Sequence, residues 1–89
     1  MIRYYLIVYG RVQGVGFRYF CQLNAANLNL TGFAHNMIDG SVEIEVQGTD
    51  ININKFISTI KKGNFFIRVT DLSIKELNVV ANEKTFKVL

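Results

Sequence analysis

Residues 2–9 place Ile2, Tyr4, Leu6 and Val8 on one parity and Arg3, Tyr5, Ile7 and Tyr9 on the other. The run is β-branched and aromatic, which predicts a strand. Both parities are largely apolar, so this strand is expected inside a sheet rather than at its edge. Gly10 to Gly16 reads as a loop. From Phe17 the period changes: Phe17, Cys21, Ala25 and Leu28, flanked by Phe20, fall on one helical stripe that should end near Asn29. Thr31 to Asn36 predicts a second strand, and Asp39-Gly40 a hairpin turn. Val42, Ile44 and Val46 alternate with Ser41, Glu43 and Glu45 in a half-buried third strand.

Gln47 to Asp50 reads as a connection, with Thr49 or Asp50 as N-cap. Ile53, Phe56, Ile57 and Ile60 define an amphipathic helix that Gly63 should stop just past Lys61-Lys62. Ile67 and Val69, then Leu72 and Ile74, predict a fourth strand. Its parity slips by one residue, so a bulge or bend is expected near Thr70-Asp71. Asn78 to Glu83 reads as a loop, and Thr85 to Leu89 as a short closing strand. The order βαββαβ with a short fifth strand predicts an α+β, ferredoxin-like two-layer sandwich, two helices lying on one face of an antiparallel sheet. That architecture hosts many chemistries and selects none.

The chain has 89 residues, 49% hydrophobic and 19% charged, which predicts one folded domain with one core. The single cysteine, Cys21, cannot form an internal disulfide and lies on the helical stripe, where a small core side chain is expected. The apolar N-terminal run is too short to span a membrane and lacks a signal-peptide pattern. A cytoplasmic monomer with no membrane partner is therefore expected. The net charge of +3 suits an anionic ligand. Arg3, Arg11, Arg18, Lys55, Lys61, Lys62, Arg68, Lys75, Lys84 and Lys87 are scattered, however, and read as ordinary surface charge. Lys61 and Lys62 fit as cations closing the second helix. The tyrosines and the seven phenylalanines read mainly as packing.

The chemistry concentrates in the loop. Gly10, Gly14 and Gly16 separate a strand from a helix, and Arg18 sits at the helix start. Glycines let the backbone approach an anion closely, and the first turn of a helix offers unpaired N–H groups at the positive end of its dipole. Arg18 adds a planar fork for two phosphate oxygens. The combination suits a phosphate. A plain strand-to-helix turn is the ordinary alternative. The loop is neither a Walker A sequence nor a dinucleotide fingerprint.

Val8-Tyr9-Gly10-Arg11-Val12-Gln13-Gly14-Val15-Gly16-Phe17-Arg18 resembles the first signature of the acylphosphatase family. Gly32-Phe33-Ala34-His35-Asn36-Met37-Ile38-Asp39-Gly40-Ser41-Val42, followed by Gly48, resembles its second. Their order and separation match, and with the predicted elements the resemblance covers essentially the whole chain. It implies hydrolysis of a carboxyl–phosphate bond to a carboxylate and inorganic phosphate. By position it implies that Arg18 binds the phosphoryl group and that Asn36 places the attacking water. The backbone of Gln13, Gly14, Val15, Gly16, Phe17 and Arg18 would form the phosphate cradle. No cofactor or metal is implied.

That chemistry suits a chain with one histidine and few acids near either motif. The leaving carboxylate has a pKa of about 4, so no general acid is needed. Fixed donors around the equatorial phosphoryl oxygens and an oriented water lower the barrier. An amide is a poor base, so the proton is assigned to the substrate's own phosphate. Taken alone, Asn36 would be an ordinary turn residue beside the hairpin. His35 stands where the family usually has a basic, small or amide residue. Strand alternation turns it away from any site that Asn36 faces, so it is expected to be a bystander.

Two other functions fit less well. A binding module of the same fold would hold phosphate without turnover; both key residues argue against it. An RNA-binding sandwich would need an aromatic and basic motif on a central strand. Glu43 and Glu45 stand there instead, so no nucleic-acid partner is expected.

Overall fold

The computed structural model describes residues 1–89. In chain order the elements are β1 (Ile2–Arg11), α1 (Phe17–Asn27), β2 (Thr31–Asn36), β3 (Val42–Gly48), α2 (Asp50–Lys62), β4 (Arg68–Leu77) and β5 (Phe86–Val88). The sheet order is β4-β1-β3-β2-β5. The first four strands pair antiparallel, as expected for the α+β sandwich. The short β5 runs parallel to β2, which makes the sheet mixed. Two elements extend beyond the sequence reading: β1 continues through Gly10 and Arg11 along β4, and β3 takes in Gln47 and Gly48.

Parity sorts the sheet into two faces. Leu6 and Val8 of β1, Ala34 of β2, and Val42, Ile44 and Val46 of β3 are fully buried beneath the helices. Phe17, Cys21 and Ala25 of α1 and Ile53, Phe56, Ile57 and Ile60 of α2 close the core from above. These are the positions that the two helical periods select. Removing a ring such as Phe56 would cost about 3–5 kcal/mol. Burial pushes the Cys21 thiol up, well out of the range of a reactive thiolate. Thr49 caps α2, its hydroxyl accepting from the Asn52 N–H at 3.3 Å.

The slip in β4 is a bulge. Tyr9 pairs with Asp71 and Gly10 with Val69, leaving Thr70 as the extra residue. Gly10 has φ 127° there, and a Cβ would collide with the Arg68 carbonyl oxygen. The bulge therefore requires glycine at the point where β1 gives way to the loop.

One sequence expectation is overturned and another holds only for most of its residues. Arg3 is not surface charge: it is 3% exposed. From β4 at one edge of the sheet the chain must cross to β5 at the other, and Arg3 anchors that crossing. Its guanidinium donates to both carboxylate oxygens of Glu83, at 2.7 and 3.2 Å, and to Glu45 at 2.8 Å and Gln47 at 3.1 Å. Gln47 also exchanges hydrogen bonds with the backbone of Val80. Nor do all the aromatics pack: Phe65 and Phe66 are 94% and 62% exposed, and Tyr19 is exposed on α1.

Candidate active site

Antiparallel topology brings the ends of β1 and β2, the start of β3 and the start of α1 to one end of the sandwich. The loop after β1 is short and its geometry is set by two glycines. Gly14 has φ 71° and Gly16 has φ 77°, and at both the space a Cβ would occupy is open. Side chains there would be strained in backbone and would intrude on the concave side.

Gly16 also stands at the N-cap of α1, with no side-chain cap, and the first turn carries no acidic residue. The N–H groups of Gly14, Val15, Gly16, Phe17 and Arg18 enter none of the protein's own turn, loop or cap hydrogen bonds. In a native fold most backbone donors are paired, so five consecutive free N–H groups at a helix start form a ready anion site.

The loop is fixed from outside. Gln13 Nε2 donates to the carbonyl oxygens of Met37 at 2.8 Å and Ser41 at 2.9 Å. This side chain staples the cradle to the β2–β3 hairpin, next to Asn36. The sequence reading assigned Gln13 only a backbone role; nothing local to the residue signals the staple, because its partners are carbonyls from a distant turn. The hairpin is itself held by Asp39, whose carboxylate accepts from the Ser41 N–H at 2.9 Å and from the Ser41 hydroxyl. Those bonds hold the Asp39 carboxyl below its usual value.

Asn36 is half-buried on the helix side of β2. Its Oδ1 is buried without a hydrogen-bond partner, a condition that costs about 1–3 kcal/mol in a folded protein. Its amide enters no other side-chain hydrogen bond. Arg18 is half-buried, and its Nη1 donates to the Leu89 backbone oxygen. That contact restrains the guanidinium and leaves its other nitrogens free; the sequence gave no sign of it.

His35 lies on the opposite face of β2, with its side chain 47% exposed. Nδ1 pairs with Glu43 Oε2 at 2.9 Å, and the other Glu43 oxygen accepts from the Tyr5 hydroxyl at 2.9 Å. The hydrogen bond with His35, aided by that from Tyr5, holds the Glu43 carboxyl below its usual range against the opposing effect of burial. The alternation argument for His35 therefore describes its placement correctly.

The two largest depressions, about 670 and 680 Å³, lie between α1 and β5 and between α1 and α2. Neither includes Arg18, Asn36 or the loop.

Free backbone N–H groups at a helix start, an arginine and an unpartnered amide, on a ferredoxin-like sandwich, have the chemistry of an anion-binding protein. The acylphosphatase family model matches residues 4–88, and the chain belongs to the acylphosphatase family. It is 56% identical to an acylphosphatase of Clostridium beijerinckii, over 99% of this chain and 98% of that one. The crystal structure of acylphosphatase from Bacillus subtilis superimposes with a TM-score of 0.94 at 40% identity, covering 100% of this chain and 99% of that one. A further likeness, with TM-score 0.84 and 33% identity, is to full-length HypF in its phosphate- and nucleotide-bound form, of which the match covers 12%. The chain is thus an enzyme that hydrolyses the carboxyl–phosphate bond of acyl phosphates.

Proposed function

We propose that Arg18 and Asn36 carry this hydrolysis, that residues 13–18 hold the phosphoryl group, and that the 89 residues act as one acylphosphatase-like domain. The N–H groups of the cradle and the free nitrogens of Arg18 bind the equatorial oxygens, where transition-state charge gathers. Asn36 orients a water in line with the carboxylate leaving group, through Nδ2 or, after a half-turn of χ2, through Oδ1. The water oxygen forms the new bond to phosphorus. The bond from phosphorus to the carboxyl oxygen breaks, the electron pair leaves with the carboxylate, and the water proton passes to a phosphoryl oxygen.

The observation that carries this reading is the pairing of two unsatisfied groups: the row of free N–H donors and the orphaned amide of Asn36. The reaction needs no metal and no enzyme general acid or base. The substrate is a dissolved small acyl phosphate and the enzyme works as a cytoplasmic monomer without nucleic acid.

Phosphate release from benzoyl phosphate tests the assignment. Asn36→Ala should lower kcat by about 10²-fold or more while retaining phosphate inhibition. Chelator should change nothing. Full turnover by Asn36→Ala would remove its proposed role, and chelator sensitivity would overturn the metal-free mechanism. A basic limb in the pH–rate profile assigned to an enzyme side chain would overturn the proton assignment.

A further inference from the structure

α2 ends at Lys61 and Lys62, and the chain turns into β4 through Gly63 to Ile67, at the same end of the sandwich as the cradle. Phe65 and Phe66 project from this turn, their rings edge to face at 5.3 Å and 82°. Their exposure is built in. Asn64 Oδ1 accepts from the N–H groups of Phe66 at 2.8 Å and Ile67 at 2.9 Å, which locks the turn. Ile67 is buried beneath it, so the backbone on either side of the rings is pinned while the rings themselves stand in solvent.

Cations surround the pair. Lys61 and Lys62 precede it, Arg68 follows it, and Arg11 lies opposite Arg68 in the β1–β4 register. All four line, with the two rings, a groove of about 460 Å³ that no acidic residue borders. None of the four enters a salt bridge.

We propose that this turn and its groove, to one side of the cradle, form a docking surface for an anionic lipid bilayer. Phe65 and Phe66 enter the headgroup region, where aromatic groups settle. Arg11, Lys61, Lys62 and Arg68 meet acidic headgroups, an attraction that acts within a Debye length of the surface. A single nucleic-acid strand would call for ring faces laid open as stacking platforms. Here the rings sit at the tip of a turn with one edge against the other's face, an arrangement suited to insertion. No helix is long and apolar enough to cross a membrane, so the contact is peripheral. Such a contact would group four of the cations that read as scattered surface charge in the sequence.

Sedimentation of the full chain with vesicles tests the proposal. Vesicles of phosphatidylcholine mixed with phosphatidylglycerol should carry the protein down, vesicles of phosphatidylcholine alone should not, and added salt should release it. Lys61→Gln/Lys62→Gln should weaken binding by roughly thirty-fold. Phe65→Ser/Phe66→Ser should weaken it at least tenfold, with circular dichroism melting reporting an intact fold. Lys84→Gln/Lys87→Gln, which alters cations outside this groove, should bind like the wild type. Equal binding to neutral vesicles, or unaltered binding by the phenylalanine variant, would overturn the proposal. So would an oligothymidylate that binds more tightly than the vesicles and displaces the protein from them.

Discussion

Arg3 and Arg18 have the same side chain and opposite situations. Arg3 is buried at 3% exposure and four of its five N–H groups are bonded: Glu83 takes two, and Glu45 and Gln47 take one each. Arg18 spends one nitrogen on a single backbone oxygen, beside a row of N–H groups that bond to nothing in the protein. A buried charge survives only when its partners replace water. Arg3 meets that condition within the fold and therefore serves the fold. Around Arg18 the donors are left over, and in the proposed mechanism a ligand of opposite charge completes them. On that proposal, satisfied polar groups hold this structure together and unsatisfied ones do its chemistry.

The contrast can be broken by exchanging the two losses. Arg18→Ala should cut kcat/KM on benzoyl phosphate by about 10³-fold, the scale for removing a preorganised transition-state donor. Its melting temperature should stay close to wild type, because the lost contact is a single exposed one. Arg3→Ala should do the reverse. It strands Glu83 and Glu45 and releases the chain crossing between β4 and β5, at a cost of about 3 kcal/mol in urea unfolding. Both carboxylates keep some access to water, which holds the cost at the lower end of the range for buried pairs. The folded fraction should turn over at the wild-type rate. Arg3→Ala losing activity in proportion to Arg18→Ala, with the fold intact, would erase the distinction.

What the sequence shows of this molecule follows the same line. Apolar periodicity marks both helices and locates the Thr70 bulge from one slip in parity. These features are legible because they depend on near neighbours in the chain. Arg3 and Glu83 stand far apart in sequence, and Gln13 reaches carbonyls of a distant hairpin. Such polar pairings have no period and require the finished fold. The glycine loop can be read on its own as suited to an anion, since backbone conformation is local. Asn36 does not: an asparagine before a turn is ordinary, and only the resemblance to a family pattern singled it out. Phe65 and Phe66 were indistinguishable from core aromatics, because neither composition nor spacing records that Asn64 turns them outward.

Acid sharpens the structural half of the contrast. Burial, the largest single influence, would raise the Glu83 carboxyl, but hydrogen bonds from Arg3 and Thr31 and the charges of Arg3 and Lys87 together outweigh it and hold the group below its ordinary value of 4.5. A depressed folded pKa stabilises fully above the unfolded value and loses that stabilisation as pH falls through the folded one. Glu83→Gln should therefore be less stable than wild type at neutral pH, with the gap narrowing as pH drops below about 4.5. Thermal melts from neutral to strongly acidic pH would follow the convergence. A gap that stays constant across that range would show that the Arg3–Glu83 pair contributes nothing through ionisation.

The smallest effect belongs to His35, the one residue that invites a general-base role by its type. It is paired with Glu43 and sits half-exposed on the face of β2 away from Asn36. By the rule that Arg3 and Arg18 illustrate, a partnered side chain on the wrong face should be dispensable for turnover. His35→Ala should leave kcat and KM for benzoyl phosphate unchanged and shift stability by no more than about 0.5 kcal/mol, as for other exposed pairs. The Glu43 carboxyl should rise toward its ordinary value, since the His35 hydrogen bond is the largest influence holding it down, and NMR titration of the Glu43 side chain would register the change. A marked loss of turnover with the fold intact would mean that a satisfied pair on the open face reaches the reaction, and the division between structural and chemical polar groups would fail at that residue.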